Sequence, residues 1–282
     1  MTIQTALRQG AELFEEAGVP VPRLTAEVLL SYALGCERAY LYGHSDAHLT
    51  DLVQLHFGRY LHERLQGKPT QYITRRQEFY GREFRVTPAV LIPRPETEHV
   101  IEAALALVPA PRRVVDVGCG SGAIAVTLSL EMHAEVLATD ISSAALGVAA
   151  ENARKLGARV AFVACDLASA FAAESLDLVV SNPPYVPLGD AAGLQREIRE
   201  HEPAVALFAG ESGLDIYGRL VEDAERVLRP GGALVMELGF KTYDAVRAML
   251  GPRWQDIRIV PDLAGIARVI SARLLKMRLA LS

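Results

Sequence analysis

The stretch "VVDVGCGSG" at residues 114–122 decides the fold. Its apolar, β-branched start predicts a buried strand, and the three glycines predict a sharp turn into a helix, where a ligand can approach the backbone closely. The spacing is GxGxG, whereas a dinucleotide site uses GxGxxG with amides facing a pyrophosphate. No GxxxxGK[ST] phosphate loop follows the turn. On its own the turn is weak evidence, so its surroundings decide what it binds.

Strands and helices alternate with short connections from Arg112 to the end of the chain. The apolar runs predict strands at 112–118, 135–140, 159–166, 176–182 and 233–238, with helices after Gly122 and at 142–157, 213–228 and 241–250. Residues 254–274 predict two strands joined by a turn at "DLAG" (262–265). This alternation predicts an α/β fold with a doubly wound, mostly parallel sheet whose last strand is antiparallel, covered by helices on both faces.

The first 94 residues have a different character. Residues 1–70 have helical periodicity, with predicted helices that end at Gly18, run over 24–34, and run from Thr50 or Asp51 to Gly67. Residues 71–94 mix aromatic and β-branched residues around Gly81, which is typical of a β-hairpin. Pro95 then opens a helix that reaches about Val108. We therefore predict three parts: a helical domain at 1–70, a hairpin linker at 71–94 and the sheet domain at 95–282.

Composition narrows the class of protein. The chain has 282 residues, of which 50% are hydrophobic, enough for one large and one small domain. A duplex nucleic-acid binder usually has a basic face, and a formal net charge of −5 gives no hint of one, so we expect no direct DNA binding. The cationic run "RLQGKPTQYITRR" (64–76) is predicted to be a solvated helix end and turn.

Metal, disulfide and membrane signals are absent from the sequence. Cys36, Cys119 and Cys165 lie far apart and form no CxxC pair, and the seven histidines have no metal-ligand spacing. The first helix carries acidic residues, unlike a signal peptide, and no apolar run approaches the roughly 18 residues that a membrane span needs. We expect a cytoplasmic, reduced protein without a metal.

Two strand-end aspartates follow the glycine turn. Asp140 ends the next strand about 20 residues later and can accept both hydroxyls of a ribose, while Asp166 ends the strand after that and could meet an adenine amine. A single strand-end aspartate more often caps the next helix, but two in order beside a glycine turn favour a ligand. The ligand would be an adenosine without a diphosphate, and S-adenosyl-L-methionine fits best.

The fourth strand runs into "NPPY" at residues 182–185. This place adjoins the first strand at the topological switch point, where ligands bind in such sheets. Pro-Pro alone is usually a rigid turn. Asn182, however, offers an acceptor oxygen, Pro183 a stiffly aimed carbonyl, and Tyr185 a flat ring, so together they could clamp an NH₂ group on a planar substrate.

Such a clamp can activate a poor nucleophile. Two acceptors on the hydrogens of a carboxamide orient its nitrogen and favour a less planar form, whose lone pair can face the methyl of a sulfonium cofactor. Rate would come mainly from alignment and from electrostatic stabilisation of the transition state. Neither a metal nor a strong base is required before attack.

Seven stretches of the chain resemble, in order, the methyltransferases that modify the glutamine side-chain amide of peptide chain release factors. The stretches are "GKPTQYI" (67–73), "EFYGREFRV" (78–86), "VLIPRPETE" (90–98), "DVGCGSGAIA" (116–125), "VVSNPPYV" (179–186), "EHEPAVALFAGESGLDIY" (200–217) and "DLAGIARVI" (262–270). Amino-directed methyltransferases in general, including DNA adenine enzymes, share the glycine turn and NPPY. A related family that methylates a ribosomal-protein glutamine differs at PRPETE, so PRPETE followed by NPPY is specific.

The resemblance implies a Rossmann-like methyltransferase sheet with a helical substrate-recognition domain, S-adenosyl-L-methionine as cofactor, and the glutamine of the Gly-Gly-Gln motif of class 1 release factors as substrate. It implies a cofactor site made of Gly118, Cys119, Gly120, Ser121, Gly122, Asp140, Asp166, Leu167 and Asn182. Catalysis would fall to Asn182, Pro183 and Tyr185, which with Pro184 would form the glutamine pocket. We expect a monomer.

This chain departs from the family pattern in places, and other readings stay open. Leu167 stands where many relatives carry tryptophan, so stacking on adenine is lost or replaced. Arg94, Glu96 and Glu98 fit either a substrate-facing lip or a helix start. Glu237 fits either a group that faces the ligand edge of the sheet or a solvated strand end, and we favour the solvated strand end. Trp254 is predicted to lie in the core. The rival functions are methylation of a ribosomal-protein glutamine or of a nucleic-acid base amine, which would need a base-flipping channel, and a binding module without catalysis.

Overall fold

The computed structural model describes residues 1–262 and 264–276. Leu263, in the predicted "DLAG" turn, and residues 277–282, the end of the predicted sheet domain, lie outside the described residues. The described residues form two compact units. The first comprises 1–76 together with 195–201, and the second comprises 77–194 together with the described residues from 202 onward. The hairpin therefore belongs almost wholly to the second unit, and the predicted divisions at 70 and 94 stay predictions.

The first unit is helical. Its helices are α1 (Ile3–Glu16), α2 (Pro22–Leu34), α3 (Arg38–Gly43), α4 (Asp51–Leu65), α5 (Thr70–Thr74) and α9 (Arg196–His201). Thr50 caps α4 through its side chain, and Gly35 ends α2 in the left-handed conformation. Leu29 and Leu30 are buried with Phe14 and Phe57 in its core.

This unit differs from the sequence prediction in two places. It contains two further short helices, α3 and α5, which the sequence does not reveal because six or fewer residues give too little periodicity to recognise. The cationic run at 64–76 is not a solvated turn, since Arg64 is only 5% exposed and forms an ion pair with Glu197 from α9. That burial depends on a partner 133 residues away.

The second unit contains the hairpin and a seven-stranded sheet. The hairpin is β1 (Arg76–Phe79) and β2 (Arg82–Arg85), and the sheet strands are β3 (Arg113–Val117), β4 (Glu135–Asp140), β5 (Val160–Ala164), β6 (Leu176–Ser181), β7 (Leu228–Glu237), β8 (Trp254–Pro261) and β9 (Ala267–Leu274). Its helices are α6 (Glu98–Leu107), α7 (Ala123–Glu131), α8 (Ser143–Leu156), α10 (Asp215–Val227) and α11 (Tyr243–Met249), with 3₁₀ turns at Pro95–Thr97, Leu188–Gly193 and Ala204–Ala206.

The strand order is β5-β4-β3-β6-β7-β9-β8, in which β9 is antiparallel to both β7 and β8 and the other neighbouring strands are parallel. The predicted fold class is thus confirmed, including the antiparallel last strand. Strands β3 and β6 are parallel neighbours, so the glycine turn and NPPY leave the same edge of the sheet side by side. Two buried clusters line the two faces of the sheet, and Trp254 lies in one of them, as predicted.

One boundary differs from the prediction. The sequence predicts that "RPGG" (229–232) separates a helix from a strand that begins at Ala233. Instead, β7 begins at Leu228 and includes all four residues, and Leu228 pairs with Leu176 before the register shifts. A strand irregularity therefore accommodates the proline and glycines that would normally end an element.

Candidate active site

Backbone hydrogen bonds tie the turn after β3 to the neighbouring strand β4. The amides of Gly118 and Cys119 both donate to the carbonyl of Thr139, at 2.9 and 2.8 Å. Gly118 and Gly120 have φ of +74° and +53°, a region that side chains disfavour. A Cβ atom at either position would meet nothing within 4 Å, so their surfaces face open space.

Asp140, at the end of β4, borders the same space. Its Oδ2 accepts from the Gly120 amide at 2.9 Å and its Oδ1 from the Ser142 amide at 2.8 Å. Each carboxylate oxygen has two lone pairs, so both can accept a further hydrogen bond. Asp140 therefore ties the turn to α8 and can still bind a ligand hydroxyl.

A second acidic group, Asp166, also lines this space. Asp166 lies two residues beyond β5 and pairs with Arg219 of α10 at 2.5 Å, both about half exposed. Leu167, with φ of +48°, packs partly against the sheet core and also lines the space. This end of the cavity thus combines an ion pair with an aliphatic wall.

The NPPY segment leaves β6 beside the glycine turn. Asn182 is half-buried, and its Nδ2 donates to Thr97 Oγ1 at 3.2 Å. Pro183 is buried, and the ring of Tyr185 lies against Gly239, where a Cβ would come within 2.8 Å of Tyr185 Cδ2. Burial and the neighbouring Glu237 raise the pKa of the Tyr185 phenol, which keeps it protonated.

One cavity collects nine of the predicted site residues: Gly118, Cys119, Gly120, Ser121, Asp140, Asp166, Leu167, Asn182 and Pro184. Gly122, Pro183 and Tyr185 stand outside its lining. Gly122 instead begins α7 and packs against Ala149. Burial raises the pKa of the Cys119 thiol, so this cysteine stays neutral at the site.

Glu237 is buried, and the expectation that it is a solvated strand end is wrong. It is only 3% exposed at the end of β7. Its Oε2 accepts from Thr97 Oγ1 at 2.6 Å, and its Oε1 makes a long 3.5 Å contact with the Tyr185 hydroxyl. Desolvation by burial is the main cause that raises its pKa to about 7.

Arg94 and Glu98 have structural partners. Arg94 pairs with the buried Glu202 at 2.5 Å, and Glu202 also accepts from the Ile92 amide at 3.3 Å. Glu98 accepts from the Tyr80 amide at 2.8 Å. Arg94 thus joins the segment before α6 to the segment at 202–206, and both segments contribute to the cavity wall.

Sequence reasoning missed Thr97, Asn152 and Arg219. Asn152 of α8 donates to the carbonyls of Ser121 and Arg85 and accepts from the Arg85 amide, so it holds the glycine turn to the hairpin. No local pattern reveals such a bridge. Thr97 could have been found from the sequence, because it lies inside PRPETE. The position of Glu237 at the end of a strand, on the ligand edge of the sheet, was likewise a signal for a site residue.

Asp116 is buried within β3. Its Oδ2 accepts from the Ala125 amide at 3.0 Å, while its Oδ1 has no partner among the described residues. Burial raises its pKa to about 7, and the negative Asp140 adds to the shift. Across the part of the chain that the structure describes, no cluster of three or more histidine, cysteine, aspartate or glutamate side chains could hold a metal ion.

No helix among residues 1–262 and 264–276 has the length and apolar character needed to cross a bilayer.

Two family models match the chain in order. The PrmC N-terminal domain matches residues 5–74, and the methyltransferase small domain matches residues 100–198. The second match spans the glycine turn, both strand-end aspartates and NPPY. Together with the sheet order, it defines the class of protein as a methyltransferase.

Curated relatives narrow the class. Proteins called release factor glutamine methyltransferase are 46% identical in Koribacter versatilis over 277 residues (97% of this chain, 99% of the relative) and 42% identical in Nitratidesulfovibrio vulgaris over 281 residues (96% and 95%). The Bacillus subtilis protein of the same name is 40% identical over 282 residues (96% and 97%). The chain belongs to the release factor glutamine methyltransferase family.

Solved structures agree on the fold. A methyltransferase from Pyrococcus furiosus superposes with a TM-score of 0.53 at 15% identity, covering 69% of this chain and 90% of that one. The T. thermophilus 16S rRNA N2 G1207 methyltransferase, in complex with AdoMet and guanosine, has a TM-score of 0.50 at 23% identity, covering 71% and 49%. At these identities the likeness concerns the sheet architecture alone.

Proposed function

We propose that this chain methylates the side-chain amide nitrogen of the glutamine in the Gly-Gly-Gln motif of class 1 peptide chain release factors, with S-adenosyl-L-methionine as methyl donor. The observation that carries the proposal is the position of Asn182. In this chain, a member of the release factor glutamine methyltransferase family, Asn182 borders the same cavity as the glycine turn. An acceptor for a carboxamide and a cradle for a methyl donor therefore adjoin each other.

The cavity suits an adenosine carrying an amino acid. Open space above Gly118 and Gly120 lets a ligand lie against the backbone, and the remaining lone pairs of Asp140 suit ribose hydroxyls. The segment at Asp166 and Leu167 would flank the adenine, with Leu167 giving an aliphatic contact. The T. thermophilus enzyme with the same fold holds AdoMet. When bound, the cofactor supplies an electrophilic methyl carbon.

The substrate amide would be held by two acceptors. Asn182 uses its Nδ2 on Thr97, which leaves Oδ1 for one amide hydrogen of the glutamine. The carbonyl of Pro183, set by a rigid ring, would take the other. With both hydrogens held, the nitrogen lone pair turns toward the cofactor end of the cavity, and alignment supplies much of the rate. The protonated phenol of Tyr185 would complete the wall of this pocket.

The proposed substrate also defines the proposed partner. Release factors supply the glutamine, and the helical domain would help to recognise them. That the protein acts as a monomer remains our expectation.

The proposal is tested by incubating the purified protein with labelled cofactor and either a class 1 release factor or a DNA duplex containing adenine. We expect one methyl group on the glutamine of the Gly-Gly-Gln motif, located by mass spectrometry, and no label on DNA. A release factor in which that glutamine is replaced by glutamate serves as the control. Label on the duplex or on that control, with none on the glutamine, would overturn the proposal.

A further inference from the structure

A chain of hydrogen-bonded polar side chains connects Asn182 to the buried residues Thr97 and Glu237. Asn182 Nδ2 donates to Thr97 Oγ1 at 3.2 Å, and Thr97 Oγ1 donates to Glu237 Oε2 at 2.6 Å. Thr97 is 4% exposed and Glu237 is 3% exposed, so water does not replace either contact. The three side chains come from β7, the 3₁₀ turn at Pro95–Thr97 and the end of β6, which are distant in sequence.

The direction of these hydrogen bonds follows from proton counting. An ionised carboxylate can only accept, so the single hydroxyl proton of Thr97 must point at Glu237. The Thr97 oxygen can then only accept on its other side. Asn182 must therefore turn its NH₂ toward Thr97, and its Oδ1 becomes the group offered to the substrate.

A protonated Glu237 reverses the constraint. Its own hydroxyl can donate to Thr97, which releases the Thr97 proton to donate toward Asn182. The Asn182 amide is then free to rotate by 180°, which presents its NH₂ to the substrate amide. Two donors would face each other, and the acceptor of the clamp would be lost.

We propose that Thr97 and Glu237 are positioning residues: the ionised carboxylate of Glu237, acting through the Thr97 hydroxyl, sets the orientation of the Asn182 amide as an acceptor. The inference rests on the proposed function, because it concerns how Asn182 meets a carboxamide. Neither Thr97 nor Glu237 touches the reacting atoms in this scheme.

The charges around Glu237 place its ionisation near neutrality. Burial is the main cause that raises its pKa, and the negative Glu96 adds to the rise. Arg268 of β9 and the Thr97 and Tyr185 hydroxyls oppose it, and the net pKa is about 7. The Tyr217 hydroxyl donates to the Glu237 backbone carbonyl at 2.9 Å, so it does not compete with Thr97 for the carboxylate. The Glu237 carboxylate thus changes charge within the physiological range.

The decisive comparison is Thr97→Val against Thr97→Ser. Valine keeps the shape of threonine but has no hydroxyl, whereas serine keeps the hydroxyl. We expect Thr97→Val to lower kcat for release-factor methylation by about 10²-fold, as a misplaced catalytic group does, and Thr97→Ser to stay within about threefold of wild type. Cofactor affinity, measured by calorimetry, should change little in both. Full kcat in Thr97→Val would overturn the inference.

The pH profile separates positioning from a merely structural role. Wild-type kcat should rise with pH through about 7, as Glu237 ionises. Both Glu237→Gln and Thr97→Val should lose this fall of kcat at low pH (the acid limb), because each breaks the hydrogen-bonded path from Glu237 through Thr97 to Asn182. Glu96→Gln should move the limb to lower pH, since removing a nearby negative charge favours ionisation of Glu237.

An acid limb that is unchanged in Glu237→Gln would overturn the inference while leaving the proposed function intact. A wild-type protein that never methylates the glutamine would instead remove the proposed function. The two failures are therefore distinguishable.

Discussion

The proposed chemistry depends on the side-chain amide of Asn182. It holds Thr97 with its nitrogen and keeps its oxygen for the substrate. We predict that Asn182→Ala lowers kcat by at least about 10²-fold, the size of effect seen when one preorganised hydrogen-bonding group is removed from an active site. The melting temperature should stay near that of wild type, because Asn182 is only half-buried.

The matched control is Asn152→Ala. Asn152 is 1% exposed and makes three hydrogen bonds that join α8 to the glycine turn and the hairpin. Its truncation should lower the melting temperature clearly, because buried backbone groups lose their partners. Equal thermal loss in both variants, or full activity in Asn182→Ala, would contradict this assignment of roles.

Asp116 predicts a pH dependence of stability. Its pKa is about 7 in the folded protein and 3.8 in its ordinary state, so the folded protein binds more protons between these values. The contribution of Asp116 to stability is fully present below about pH 4 and is lost as pH rises toward 7, at about 1.4 kcal/mol per pH unit.

Urea unfolding of wild type and Asp116→Asn from pH 4.5 to 7.5 measures this contribution. The stability of the variant relative to wild type should increase with pH across that window. A difference that stays constant with pH would show that the Asp116 carboxyl titrates normally.

At the scale of elements, the ends of β3, β4 and β6 build the site, and their apolar runs made them predictable. The predicted strand at 135–140 has the same bounds as β4. A strand in a buried parallel sheet is a nearly continuous apolar run, so its ends are easy to recognise in the sequence. The Asn152 bridge and the Thr97–Glu237 contact were not predictable from local patterns, since each joins residues distant in the chain. The burial of Glu237 follows from Thr97 and Tyr185 covering it.

Gly213 supports the NPPY segment from the loop before α10. It has φ of +73°, and a Cβ there would lie 2.5 Å from the carbonyl oxygen of Tyr185. We predict that Gly213→Ala displaces Tyr185 and lowers kcat by about tenfold or more, since small misplacements of catalytic groups are costly. The measurement is steady-state kinetics together with thermal unfolding.

Gly218→Ala is the control for this change. Gly218 lies inside α10, and a Cβ there would meet nothing within 4 Å, so alanine should stabilise the helix by about 0.5–1 kcal/mol and leave kcat unchanged. Wild-type kcat in Gly213→Ala would contradict the supporting role of this turn.

At the scale of the whole molecule, the helical unit includes a segment that lies far along the chain from its other helices. Helix α9 joins residues 1–76, and its Glu197 pairs with the buried Arg64 of α4. The sequence could not reveal that Arg64 is buried, because its partner is 133 residues away and no local pattern links the two. Nonlocal pairing of this kind limits what composition and periodicity can predict.

We predict that Glu197→Ala lowers the melting temperature by several degrees. Removing one partner of a buried ion pair costs about 3–5 kcal/mol, and the partial exposure of Glu197 reduces that figure. Glu200→Ala is the control on the same helix, because Glu200 pairs with Arg196 at the surface and should not affect melting measurably. Calorimetric melting curves that coincide for the two variants would contradict a stabilising role for the Arg64 pair.

The most direct test of the account is a crystal structure with S-adenosylhomocysteine and a release-factor fragment that carries the Gly-Gly-Gln loop. We predict that the glutamine side-chain nitrogen lies about 3 Å from both Asn182 Oδ1 and the Pro183 carbonyl, with its remaining face toward the cofactor sulfur. A glutamine bound in the cavity with its nitrogen out of reach of Asn182 would contradict the account.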